Sequence, residues 1–259
     1  MKKLQYIVIF ILLTAVLCGC SQEGTEYVIS EFDSESKIEI EISDAPDTKV
    51  NVSVKYKIFE YNDSNIAMVD VINDSASVYK ISIQGTYLDE SGNAIQTETK
   101  TFAQFSAGYQ NYFLFNPGFA FADFTYEVKC TAYNGPEYAK DLEFKLLRVA
   151  KDKAPIYEQQ VKEDYKLYPT LLAFFSSGNN GDKRVQAAIT WVFFNEKDEV
   201  VFIYDRMPII GPGQKAGNGG KCFPIYQTTE DELNLPEELQ GELKAIAFVK
   251  DVQEYTDER

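Results

Sequence analysis

The chain has 259 residues, no histidine, 45% apolar and 25% charged side chains, and a formal charge of −15. That is ordinary globular composition, with room for one large domain or two sandwiches of roughly 100 residues each. Without histidine there is no Ser-His-Asp triad, no Cys-His pair and no imidazole-ligated zinc site, and the acidic balance argues against a general electrostatic footprint for nucleic acid.

The N-terminus carries two positive charges, Lys2 and Lys3, then an apolar run from Leu4 to Leu17 interrupted only by Gln5 and Thr14. A charged region, a short apolar region and small residues at its end are the anatomy of a secretory signal. Fourteen residues rise about 21 Å as a helix, short of a hydrocarbon core of roughly 30 Å. The stretch that follows, Leu17-Cys18-Gly19-Cys20, resembles the bacterial lipobox, with Cys18 where that family usually has Ala, Ser or Thr. The resemblance implies that residues 1–19 are a signal peptide removed before Cys20. It also implies a diacylglyceryl thioether on Cys20 and further acylation of the palmitate type. Two or more acyl chains hold a protein stably where one does not. The expected location is the extracytoplasmic face of a bacterial cell membrane, with the membrane as a partner through the lipid on Cys20. The mature chain keeps 23 basic and 40 acidic residues, a formal charge of −17, which suits a tethered ectodomain held off an anionic surface.

Residues 20–27 are small and polar, a short tether. Period-two alternation then dominates: Ile38, Ile40 and Ile42, then Val50, Val52, Val54, Tyr56 and Ile58, separated by a turn-forming stretch at 43–48 that predicts a hairpin. Tyr79, Ile81, Ile83, Gly85 and Tyr87 alternate again and end in Asp89-Glu90-Ser91-Gly92-Asn93, a tight turn. The plan recurs. Val185, Ala187, Ile189, Trp191 and Phe193 alternate and end in Asn195-Glu196-Lys197-Asp198-Glu199. A constant offset of 106 aligns residues 66–95 with 172–201 without a gap, with four identities: Ala67/Ala173, Asn73/Asn179, Ile83/Ile189 and Glu90/Glu196. Near the next corner, Ala107-Gly108-Tyr109-Gln110 faces Pro212-Gly213-Gln214 after one deletion. These patterns predict an all-β chain of two tandem antiparallel β-sandwich units. The first spans 28–149, a polar linker 150–164, the second 165–250 and a charged tail 251–259. Residues 228–239 read as capped helical turns in an insertion before a last strand at 242–249.

The segment from Ile81 through Tyr87-Leu88-Asp89-Glu90-Ser91-Gly92-Asn93 to Ile95 resembles the FxLYD-type modules of bacterial surface lipoproteins, over perhaps 70 residues per repeat. Those modules show an apolar strand ending in Tyr-Asp and an acidic-Gly turn. Here Leu88 interrupts the Tyr-Asp pair, and the second copy has Phe193-Phe194-Asn195. The resemblance implies an immunoglobulin-like fold and brings no functional residues with it.

The chain offers little chemistry. The Gly-rich stretch 211–221 fails as a phosphate loop, because Lys215 and Cys222 stand where a Gly and a Ser or Thr are needed, so it reads as a loop between strands. Cys130 is in phase with Phe124, Tyr126 and Val128 and reads as a small core residue. A bridge to Cys222 would join different units, which usually keeps two thiols apart. The acidic turns at 89–93 and 195–199 carry oxygen donors but not the EF-hand pattern, and no metal or other cofactor is expected. One segment is unusual: ten aromatics lie among the 25 residues from Phe102 to Tyr126. Tyr112, Phe113 and Phe115 cannot all face inward on a regular strand. Tyr109, Tyr112, Phe119 and Phe121 are therefore the candidate binding surface, the competing role being packing between the two units.

The expected function is that of a surface lipoprotein with a non-catalytic binding or envelope-assembly role, its partner an envelope protein or a glycan. The alternatives are a carbohydrate-binding accessory lipoprotein of a transport or polysaccharide system, and a hydrolase that works with carboxylates alone.

Overall fold

Alternating burial turns the two patterned runs into paired strands. The computed structural model describes residues 36–42, 45–155, 167–221 and 241–256, so the expected signal peptide, Cys20, the expected tether, Cys222 and the expected helical turns at 228–239 lie outside the described residues. The first seven strands are β1 (Ser36–Ile42), β2 (Ala45–Tyr61), β3 (Ser64–Asn73), β4 (Tyr79–Leu88), β5 (Ala94–Phe105), β6 (Gln110–Phe115) and β7 (Asp123–Ala132). They form two antiparallel sheets, ordered β1-β2-β3-β6 and β5-β4-β7. Seven more follow: β8 (Leu142–Pro155), β9 (Leu167–Asn179), β10 (Val185–Phe194), β11 (Val200–Arg206), β12 (Ile209–Ile210), β13 (Lys215–Lys221) and β14 (Lys244–Glu254). They repeat the plan as β8-β9-β13 and β11-β10-β14, with β12 beside β10. The protein is an all-β sandwich fold. With β1 set aside, the two repeats have the same strand order among the described residues, β2-β3-β6 with β5-β4-β7 in the first and β8-β9-β13 with β11-β10-β14 in the second.

The repeat is visible in single hydrogen bonds. Asn73 and Asn179 are both buried at the end of their strands. The Asn73 Nδ2 donates to the carbonyls of Ser77 (2.9 Å) and Phe105 (2.8 Å), and its Oδ1 accepts from Ser75 N–H. The Asn179 Nδ2 donates to the carbonyls of Lys183 (2.8 Å) and Ile210 (3.2 Å), and its Oδ1 accepts from Gly181 N–H. Each asparagine ties three chain segments at one corner, where a buried apolar residue would leave main-chain groups unpaired. Gly108 and Gly213 close the facing turns at φ +69° and +62°, a conformation that favours glycine. The hairpin tips match as well. Asp89 accepts from the N–H groups of Ser91 and Asn93, and Asn195 from those of Lys197 and Glu199.

Three boundaries differ from the sequence expectation. Ala150 to Pro155, read as linker, continues β8 and pairs with β9. Its Lys, Asp and Pro residues suggest a linker by composition, but an outer strand of a sheet tolerates charge and proline. The second repeat therefore begins at Leu142 rather than at 165. The Gly-rich stretch Lys215–Lys221 is strand β13, seven residues in unbroken register with β9. The last strand runs to Glu254, so residues 251–254 of the expected tail are paired with β10.

One apolar cluster passes through both repeats, from Val50, Ile83, Phe115 and Phe124 to Phe175, Trp191 and Val252. A second, smaller cluster joins their outer faces, with Phe59, Ile66 and Met68 against Val192, Phe194, Ile246 and Phe248.

Candidate binding groove between the repeats

Strand β6 distributes the aromatic stretch. Its alternation buries Asn111, Phe113 and Phe115, while Tyr112 and Leu114 face the other way, into the cluster between the repeats. There the Tyr112 ring tilts against Phe248 at 6.2 Å. Tyr109, just before β6, stacks on Phe102 at 5.7 Å and 16° and is half-buried, and burial pushes its hydroxyl pKa up. Phe119 and Phe121, beyond the far end of β6, pack on the Tyr87 ring at 5.6 and 5.0 Å. Phe121 is only 4% exposed and belongs to the core. The four candidate residues thus sit at two ends of a six-residue strand and on two of its faces. They make no common exposed platform, because a strand sends successive side chains to opposite sides.

Tyr109 and Tyr112 share one feature. They line a groove of about 470 Å³ between the repeats, walled by residues 109–112 on one side and 142–146 on the other, with 245–249 and Trp191 beneath. A second hollow of about 390 Å³ lies across the same crossing of β6 and β14, where Asp205 bonds Lys250 (2.8 Å) and Thr190. Burial pushes the Asp205 carboxyl up, but Lys250 and Thr190 outweigh it and hold the net pKa below the usual range.

Two side-chain amides stitch this junction. Gln104 donates to the Val252 carbonyl (2.8 Å) and accepts from the N–H groups of Tyr138 (2.6 Å) and Ala139 (3.0 Å). Asn111, 1% exposed, donates to the Val249 carbonyl at 3.0 Å, and its buried Oδ1 has no hydrogen-bond partner among the described residues. A buried acceptor left unpaired costs about 1–3 kcal/mol, a cost this corner of the junction carries. Sequence reasoning passed over both residues. The signal was present for Asn111, a polar side chain in phase with core-facing Phe113 and Phe115.

Elsewhere the described residues offer little reactive chemistry. Cys130 is buried and free, and burial pushes its thiol pKa up to about 11, which makes it inert. The Asp89 carboxylate serves its own hairpin: the N–H and amide groups of Asn93 and the N–H of Ser91 hold its pKa down. Glu254 is likewise pushed down, by the Tyr138 hydroxyl and Lys183. Among the described residues no group of three or more acidic or cysteine side chains is placed to hold a metal. The Gly-rich backbone at 215–221 is committed to its ladder with β9.

No protein-family description, curated protein or solved structure matches the chain.

Proposed function

We propose that this is a lipid-anchored protein of the extracytoplasmic face of a bacterial cell membrane, with a non-catalytic binding or envelope-assembly role centred on the inter-repeat groove. The observation that carries the binding role is the groove of about 470 Å³ between the repeats, edged by Tyr109 and Tyr112. Aromatic side chains with one polar end are the groups that protein interfaces favour. The carboxylates clearly displaced by the fold, Asp89, Asp205 and Glu254, all titrate below their usual range, opposite to the need of a general acid. Every aromatic ring whose burial is described is buried or half-buried, which gives a flat sugar platform less support than a protein ligand.

Anchoring is tested by Cys20→Ala, which is expected to leave an uncleaved precursor that takes up no labelled palmitate. Binding is tested in the intact envelope with a photo-cross-linking residue at exposed Gln110, beside the groove, and at exposed Ile95 in the β4–β5 hairpin. A defined adduct from position 110 alone supports the reading. Equal adducts from both positions, or none, would remove it.

A further inference from the structure

We infer that the second repeat is an open sandwich completed by an extended strand of a partner protein, laid antiparallel to β8 in the inter-repeat groove. This rests on the binding role proposed above and gives its ligand a chemistry. In the first repeat β1 pairs with β2, Ile38 opposite Val52 and Ser36 opposite Val54, and lies against β7. The ladders fix the equivalent positions. Val52 pairs with Asn73 and Leu142 with Asn179, so Leu142 and Phe144 stand where Val52 and Val54 do. Val128 pairs with Ile83 and Val249 with Ile189, so residues 245–249 of β14 stand where 124–128 of β7 do.

The groove is therefore the β1 position of the second repeat. Among the described residues β8 pairs with β9 alone, and no strand fills that position. It is also roomier there, because β14 carries Ala245 and Ala247 where β7 carries Phe124 and Tyr126. An outer strand with free N–H and C=O groups is a template for one more strand, and extended segments use such edges with pockets for alternate side chains.

Strand β1 shows what fits. It is apolar at Ile38 and Ile40 and charged between them, with Lys37 opposite Ser53. The counterpart of Ser53 is exposed Glu143, and the counterpart of Lys55 is exposed Lys145. A complementary strand has apolar residues at alternate positions, a cation opposite Glu143 and an anion opposite Lys145. A second copy fits less well, because β1 is already paired with β2 in its own chain and lending it would open that edge.

The probe is a peptide of the sequence Ser-Glu-Ser-Lys-Ile-Glu-Ile, residues 34–40, added to the full chain. In the β1 register its Lys opposes Glu143 and its first Glu opposes Lys145. Expected are a saturable change in emission from Trp191, the single tryptophan, and slowed amide exchange at 142–146 without change at 50–54. The exposed double variant Glu143→Lys, Lys145→Glu is expected to weaken binding about tenfold. A peptide with those two charges exchanged restores it.

Slowed exchange only at 50–54 would show the peptide replacing β1 and would overturn the inference. Protection of 142–146 in the free monomer would assign the groove to this chain itself. Protection that appears only with dimer formation would assign it to a second copy, and either result excludes the partner strand. An adduct at position 110 whose ligand leaves exchange at 142–146 unchanged removes the strand but keeps the binding role. Loss of that adduct altogether removes the role beneath it.

Discussion

At the middle of the first sandwich Gly85 leaves room for two rings: a Cβ there would sit 2.5 Å from Phe124 Cζ and 2.8 Å from Phe115 Cε1. At the equivalent place in the second, Trp191 supplies the bulk itself, 2% exposed and against Phe175 at 4.3 Å, while β14 opposite carries Ala245. The two repeats fill one shape by opposite assignments, small on the central strand and large beside it, or the reverse. The bulk at the centre of each sandwich comes from different strands, since a close-packed interior needs that space filled whichever strand fills it. The same exchange has a consequence at the rim: with alanines on β14, the second repeat keeps an open groove where the first is closed by its own β1.

The sharpest test of this comparison is to exchange the assignments. Trp191→Ala is expected to cost about 3–5 kcal/mol in urea unfolding, because the alanines around it cannot close the space. Gly85→Ala overpacks and is expected to cost about 1–3 kcal/mol. Gly85→Trp alone is expected to be worse than Gly85→Trp combined with Phe124→Ala, which rebuilds the arrangement of the second repeat. Equal stability of those last two variants would mean that the sandwiches do not share one packing solution.

The buried corners come next. Asn73→Ala and Asn179→Ala each strand two carbonyls and one N–H, and both are expected to lose about 2–3 kcal/mol. A difference above about 1 kcal/mol would show that similar bonds carry different weights in the two repeats. At the junction, Gln104→Ala removes three bonds between segments of both repeats and is expected to cost about 2 kcal/mol. Its informative readout is cooperativity: Trp191 emission reports the second repeat and far-ultraviolet dichroism the whole chain. The two transitions should part in this variant, and coincident ones would show that the shared core alone couples the repeats.

These contrasts also explain what the sequence could carry. β4 and the first half of β10 were legible because there one face is buried in alternation, and the offset of 106 followed from the tips of the two strands. The junction was harder to read. Its apolar residues sit at the out-of-phase positions, Ile66 and Met68 on β3 and Val192 and Phe194 on β10, so each strand reads as a continuous apolar run instead of an alternation. Such runs announce a strand buried on both faces but do not name the opposing surface. The groove was less legible still. Its walls are joined by Gln104 and Asn111, which bond carbonyls nearly 140 residues or more away, and its opening comes from β1 having no counterpart among the described residues, a pattern no local window contains.

The smallest expected difference separates the two hairpin tips. Both are built on a side-chain oxygen that accepts two N–H bonds, but the first uses the carboxylate of Asp89 and the second the amide of Asn195. The bonds from Asn93, Ser91 and Gly92 hold the Asp89 pKa below the ordinary aspartate value of 3.8, while Asn195 does not titrate. A group with a depressed folded pKa adds stability that is full above its unfolded value and fades as pH falls through the folded one. The first tip should therefore loosen as the pH falls below the ordinary aspartate range, while the second answers only to whatever the rest of the molecule does. Amide exchange at Ser91 and Asn93 is expected to quicken relative to Lys197 and Glu199 over that range. Asp89→Asn should abolish the difference, since it gives the first tip the oxygen of the second. A difference that survives this substitution would trace the acid response to some other carboxylate and leave the two tips equivalent in their bonding.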